Sequence, residues 1–197
     1  MKEFWNERYA AKEFAYGTTP NTFFKKVIDG LPAGRMLLPA EGEGRNAVYA
    51  ATIGWQVFAF DLSEAGKEKA GLLAADQNVS INYSIATFSD YNFAPGSFDC
   101  LALIFCHLPS AMRRQEYRRL FDALRPGGLL VLQGFSKAQL GKKSGGPKDA
   151  DFLFSIEELT EDFKDAKDLE IFEEEQLLDE GPFHQGPASL ISLTAHR

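Results

Sequence analysis

A chain of 197 residues, 45% hydrophobic and 25% charged, suits one globular domain with a sizeable core and excludes a largely disordered polypeptide. The net charge of −7 is unevenly spread, with 14 of the 28 acids between residues 149 and 180 against only Lys164 and Lys167. No basic stripe elsewhere would track a phosphate backbone, so no nucleic-acid partner is expected. There is no secretory signal in residues 1–17 and no run near the roughly 18 apolar residues of a membrane span, and Cys100 and Cys106 fit no zinc or disulfide framework. A cytoplasmic, metal-free protein with buried thiols is the expectation.

In chain order, Phe4 to Phe14 reads as an amphipathic helix lying outside any sheet. Met36–Leu38 is the first buried strand, Asn46–Ile53 a helix stopped by Gly54, and Gln56–Phe60 a second strand. Ser63 caps a helix running to about Ala75, and Val79–Ile85 is a third strand. Phe98–Phe105 is apolar enough to be a central strand. A helix over Ser110–Leu124 ends at Arg125-Pro126-Gly127-Gly128, before a fifth strand at Leu129–Gln133. Arg113, Arg114, Arg118 and Arg119 fall on that helix and read as its wet face. Residues 138–150 are rich in Gly and Lys and read as a mobile loop. Ser155 and Glu158 form a capping-box signature for a helix to about Phe163. Leu169–Leu177 and Ser189–Ala195 are extended with no helix between them, which implies an antiparallel pair at a sheet edge. Strands alternating with helices give an α/β fold with a mostly parallel sheet and helices on both faces.

The chemistry is concentrated at Leu37-Leu38-Pro39-Ala40-Glu41-Gly42-Glu43-Gly44, between the first strand and the next helix. Gly42 and Gly44 allow a tight turn and close approach to a ligand. Asp61, 17 residues after Gly44 at the end of the second strand, is placed to accept from both hydroxyls of a ribose. An adenosine-containing ligand at the carboxyl ends of the strands follows. Gly42-x-Gly44-x-x-Ala47 also fits a dinucleotide fingerprint, so an NAD(P)-dependent oxidoreductase stays open. So does a non-catalytic module that binds an adenosyl ligand. Charge discriminates between ligands: Glu41 and Glu43 repel a pyrophosphate but suit a sulfonium and an ammonium group. Glu43 is free to point to solvent on this reading, and Glu41 carries the weight.

The turn AEGEGRNAVYAA, with LIFCHLP (Leu103 to Pro109) and LRPGGLLVL (Leu124 to Leu132), resembles the class I methyltransferases. FWNERYA, YGTTPN and EGPFHQGPA further resemble the small bacterial subgroup related to tellurite-resistance and thiopurine methyltransferases. The resemblance spans nearly the whole chain. It implies a Rossmann-like class I methyltransferase sheet, mostly parallel with an antiparallel C-terminal edge strand. It also implies one domain over residues 1–197, made of a lid-like segment at 1–30 and a core at 31–197. The implied activity is S-adenosyl-L-methionine-dependent methyl transfer to a small-molecule acceptor. The family turn usually reads D-x-G-x-G-x-G, where this chain has Leu38 and Ala40 in place of the first Asp and Gly. By the same resemblance, Ala40, Glu41, Gly42 and Gly44 line the methionine moiety, and Asp61 holds the ribose with Leu62 against the adenine. Thr87 and Phe88 flank the adenine, and Phe105 backs the cofactor near the methyl group.

Two histidines are candidate bases. His107 follows the fourth strand at its carboxyl edge, and His184 sits on a loop between two Gly-Pro pairs. The competing reading for His107 is packing and backbone hydrogen bonding at a strand end. Tyr9 and Tyr16 belong to the aromatic N-terminal segment expected to cover the site.

Overall fold

The computed structural model describes residues 1–197. Helices α1 (Lys2–Tyr9) and α2 (Thr22–Ile28) precede strand β1 (Arg35–Pro39). The alternation continues with α3 (Arg45–Thr52), β2 (Gln56–Asp61), α4 (Glu64–Asp76), β3 (Asn82–Ile85) and β4 (Phe98–Ile104). Then come α5 (Ser110–Phe121), β5 (Leu124–Phe135), α6 (Ile156–Asp162), and a long hairpin of β6 (Lys167–Asp179) and β7 (Gln185–His196). The seven strands lie in the order β3-β2-β1-β4-β5-β7-β6. The first five are parallel and the last two antiparallel, as the sequence predicts. No helix is long and apolar enough to cross a membrane.

The period-two pleat sorts the central strands into two cores. Leu37, Leu101 and Leu103 face one side, with Tyr117 and Leu120 of α5 and Leu159 of α6. Met36, Leu38, Cys100, Ala102 and Ile104 face the other, with Phe24 and Ile28 of α2 and Ala47 and Ala50 of α3. Being apolar on both faces, β4 belongs in the middle of a sheet covered on both sides. The two cysteines are buried and unbridged.

Several elements differ from expectation for local reasons. Helix α2 escapes a reading that treats the first 30 residues as one segment, although Asn21 caps it by accepting from the Phe24 N–H at 2.9 Å. Strand β3 begins only at Asn82, and β5 begins at Leu124 because Arg125–Gly128 form a bulge inside it, pairing Phe98 with Leu124 but Cys100 with Leu129. Ser155 caps α6 through the Glu158 N–H, whereas the Glu158 carboxylate turns to Lys137 at 2.6 Å instead of closing the box. Arg113 is not on a wet face. It is fully buried and paired with Asp162 at 2.7 Å. The expected mobile loop is anchored: Gln139 donates to Ser144 Oγ and the Gly145 carbonyl, and Ser144 Oγ donates to the Pro187 carbonyl at 2.6 Å.

Strand order reverses between β1 and β4, and the crevice beyond their carboxyl ends is where ligands bind in open sheets of this kind.

Candidate active site

Two backbone outliers mark that crevice. Ala40 after β1 and Phe105 after β4 both have φ of 51°, in the left-handed region that non-glycine residues avoid at a cost of about 1–2 kcal/mol. The turn between Ala40 and α3 also holds Gly42 (φ 61°) and Gly44 (φ 86°). Protein packing already requires these two glycines. A Cβ on Gly42 would lie 2.6 Å from the Tyr9 hydroxyl, and one on Gly44 would lie 2.5 Å from Ala70 Cβ in α4.

The acids of the turn have separate tasks. Glu41 folds back over the start of α3, and its Oε1 accepts from the Asn46 N–H at 2.9 Å and the Ala47 N–H at 2.7 Å. This satisfies two of the helix's orphan donors. Burial pushes its carboxyl up to about 7 against those hydrogen bonds and the nearby Arg45. Glu43 does not reach solvent. It is buried, ion-paired with Lys69 at 2.5 Å, and accepts from the Ala15 N–H at 2.8 Å. Asp61 accepts from the Gly42 N–H at 3.0 Å and the Ser63 N–H at 2.9 Å, which ties the ends of β1 and β2 together. Burial raises its carboxyl, and these hydrogen bonds oppose the shift.

A cavity of about 690 Å³ opens over these groups. Ala40, Glu41, Asp61, Leu62 and Phe88 form one side, with Phe60 and Ile104 behind them. Phe105, Phe135, Phe152 and both histidines form a second group on its lining, and Trp5, Tyr9, Tyr16 and Phe183 a third. Thr87 is not on its wall: it closes a turn with Asp90, and its neighbours Ala86 and Phe88 face the cavity instead.

The histidines differ in what they leave free. His107 bonds the Phe152 carbonyl through Nδ1 at 2.8 Å, and its Nε2 accepts from the Phe135 N–H at 3.1 Å. The ring stacks on Phe154, and burial holds its basicity down to about 4. Both nitrogens are engaged, so His107 has no free nitrogen for a substrate's proton, contrary to the expectation that it is a base. His184, in the turn between β6 and β7, bonds Glu180 Oε2 through Nδ1 at 3.3 Å. Its Nε2 has no partner in the protein and is not sealed off, and the ring lines the cavity. Burial lowers the His184 basicity, and Glu180 opposes that shift. Burial also raises the Glu180 carboxyl, but His184 and Arg45 outweigh it and hold the group down to about 2. Arg45 pairs with Glu180 at 2.9 Å, and Asn21 Nδ2 donates to its other oxygen at 3.3 Å.

Residues 39–128 match the family described as methyltransferase domain. The chain extends beyond that matched stretch on both sides. It is 31% identical over 121 residues to the ubiquinone/menaquinone biosynthesis C-methyltransferase UbiE of Geotalea daltonii, a match covering 58% of this chain and 51% of that protein. The chain thus spans about half the length of this curated relative. Among solved structures it is similar in fold to TehB from Haemophilus influenzae, with a TM-score of 0.73 and 17% identity over all of this chain and 66% of that one. It is also similar to phosphoethanolamine N-methyltransferase 2 of Haemonchus contortus in complex with S-adenosyl-L-methionine. There the TM-score is 0.69 and the identity 18%, over 98% of this chain and 56% of that one. No group of three or more His, Cys, Asp or Glu side chains is placed to hold a metal ion.

Sequence reasoning missed Glu180, Arg45 and Asn21, which hold His184 from elements far apart in the chain. A histidine four residues after a glutamate, in EGPFH, was the one local signal. Phe60, Ile104 and Phe183 carry no chemical signature and are found only by their place on the wall.

Proposed function

We propose that this protein transfers the methyl group of S-adenosyl-L-methionine to a small-molecule acceptor by in-line displacement. Glu41 seated on the first N–H groups of α3 is the observation that carries the choice of cofactor. In a dinucleotide site that helix start receives a pyrophosphate. Here a carboxylate already occupies two of its donors, and a second anion beside it is repelled. A cationic ligand meets the opposite situation, because its charge relieves the cost of burying Glu41.

The residues present fit that cofactor. Asp61 spends one hydrogen bond per carboxylate oxygen on the backbone, and a carboxylate has about four lone-pair sites, so capacity for ribose hydroxyls is left. Leu62, Ala86 and Phe88 offer an apolar slot for a flat base, and Ala40, Glu41 and Phe105 surround the end that carries the charge. When bound, S-adenosyl-L-methionine supplies a methyl group on positively charged sulfur, an electrophile with a neutral leaving group. Tyr9, Tyr16 and Phe183 exclude water from above. Glu180 fixes the Nδ1–H tautomer of His184, so that Nε2 takes up the proton of a neutral acceptor. Tyr9 and Tyr16 make the N-terminal segment part of the site, and the chain works as one cytoplasmic domain.

Thermal melts with S-adenosylhomocysteine or NADH test the reading. We expect stabilisation by the first alone, reduced in Asp61→Ala by the roughly 1.5–3 kcal/mol of hydrogen bonds to a charged group. Stabilisation by NADH alone would favour an oxidoreductase. Binding of S-adenosylhomocysteine without labelled methyl transfer to any acceptor in a broad screen would favour a ligand-binding module.

A further inference from the structure

Thirteen of the 21 lysines and arginines are ion-paired. Of the eight that are not, three stand on the rim of the one cavity just described: Arg8, Lys143 and Lys148. In a chain of net charge −7, these three cations share one opening and have no carboxylate partner. Arg8 is held in place without being neutralised, because its guanidinium donates to Tyr16 Oη at 3.2 Å and lies 3.9 Å from the Phe183 ring centre. None of the cavity's carboxylates is ion-paired with these three. Glu43 is paired with Lys69, and Glu41 and Asp61 accept from backbone N–H groups. Asp149, beside Lys148, turns its carboxylate to the Asp151 N–H at 3.0 Å.

Beneath the cations the wall is aromatic. Phe135 and Phe105 lie 4.9 Å apart and flank the His184 ring at 5.2 and 4.5 Å between ring centres. Phe152 and Phe183 also line the cavity. A site of this kind recognises an apolar, ring-sized body by area and an anionic group by charge.

Resting on the methyltransferase reading, we propose that the acceptor is an anion with a ring-sized apolar body. The body packs on Phe135, Phe152 and Phe183, and its anionic group faces Arg8, Lys143 and Lys148. The atom that receives the methyl is separate from that group and lies on the His184 side.

The experiment uses protein saturated with S-adenosylhomocysteine and three ring-matched probes: 2-naphthoate, 2-naphthylmethanol and 2-naphthylmethylamine, titrated by calorimetry. 2-Naphthoate should bind about tenfold or more tightly than the alcohol, the scale of a hydrogen bond to a charged group, and the amine should bind most weakly. The double variant Lys143→Gln/Lys148→Gln should lose about fivefold or more in affinity for 2-naphthoate, at the upper end of exposed charge pairs, with affinity for the alcohol and for S-adenosylhomocysteine unchanged. Equal binding of anion and alcohol, tighter binding of the amine, or no binding of 2-naphthoate by protein that holds S-adenosylhomocysteine would overturn the proposal. Inorganic phosphate binding as tightly as 2-naphthoate would overturn it too, because the aromatic wall would then contribute nothing. Failure to bind S-adenosylhomocysteine at all would instead overturn the reading of the cofactor.

Discussion

Replacing Glu41 with Gln separates the stability of the fold from the needs of the ligand. Glutamine keeps an oxygen for the Asn46 and Ala47 N–H groups and removes the buried charge. Burial lifts this carboxyl from 4.5 to about 7, and one pH unit is about 1.4 kcal/mol, so the whole shift amounts to about 3 kcal/mol. The residue keeps some surface on the cavity, where water screens the charge, and about 1–3 kcal/mol is the effect we expect. The folded state holds this proton more tightly than the unfolded chain does. Stability is therefore lost as pH rises from about 4.5 to about 7, and the deficit is constant above that. Urea melts without cofactor at pH 5 and pH 8 should show Glu41→Gln gaining about 1–3 kcal/mol on the unmodified protein between the two. Affinity for S-adenosyl-L-methionine should move the other way, weakening by about tenfold or more. The unmodified protein should bind the cofactor more tightly as pH passes about 7, and the variant should not. A variant that gains nothing at pH 8, or that binds the cofactor as well as before, would refute the assignment of Glu41 as a buried anion awaiting a cation.

His184→Asn should lower kcat for an acceptor that must lose a proton by about 10²–10⁴-fold without changing affinity for S-adenosylhomocysteine. In the unmodified protein kcat should rise with pH through a value below 6.5, because the ring acts in its neutral form; an unaltered kcat in the variant would remove His184 from the reaction. Gly42→Ala should cost about 1–2 kcal/mol in denaturant melts, from its φ of 61° and the Tyr9 hydroxyl. Part of that cost should return in a Tyr9→Phe background, whereas strictly additive losses would exclude the Tyr9 contact as the cause. Hydrogen exchange should show S-adenosylhomocysteine protecting residues 2–9, with residues 15–24 already protected without it. Unchanged exchange in residues 2–9 would leave α1 a fixed wall.

The last of these divides a segment that sequence reasoning treats as one lid. Ala15 and Asn21 are tied down by buried hydrogen bonds to Glu43, Asn46 and Gln133, and Lys69 reaches the Ala11 and Glu13 carbonyls. None of these partners is near in sequence, so the amphipathic pattern alone could not separate the pinned half from α1. The sheet was legible because its signals are local: apolar runs at β1 and β4, the glycine turn, and an acid at the end of β2. Its limits were not, since the bulge in β5 looks like the end of a helix until β4 is laid beside it. The arginines of α5 misled for a similar reason, as the carboxylate that lets Arg113 be buried belongs to α6. His184 was within reach as a candidate. What distinguishes it from His107 is the set of neighbours on each ring nitrogen, and those come from Glu180, Phe135 and Phe152 only after folding.

The side chain of Asn21 donates to Gln133 Oε1 in β5 at 2.7 Å, across a separation of 112 residues, and Gln133 in turn donates to Ser192 Oγ in β7 at 2.8 Å. On a ribosome adding about 5–20 residues per second, the partner of Asn21 is made some 6–22 s after it. Until then the Asn21 amide lacks its partner in β5, and until the β6–β7 hairpin is complete, β5 is an open edge. The parallel half of the sheet is the first part of this nascent chain that can close, and its binding cavity is the last. A growing polypeptide with a bare strand edge is a natural client for chaperones. Damage to the hairpin would therefore reduce the yield of folded protein as well as its activity.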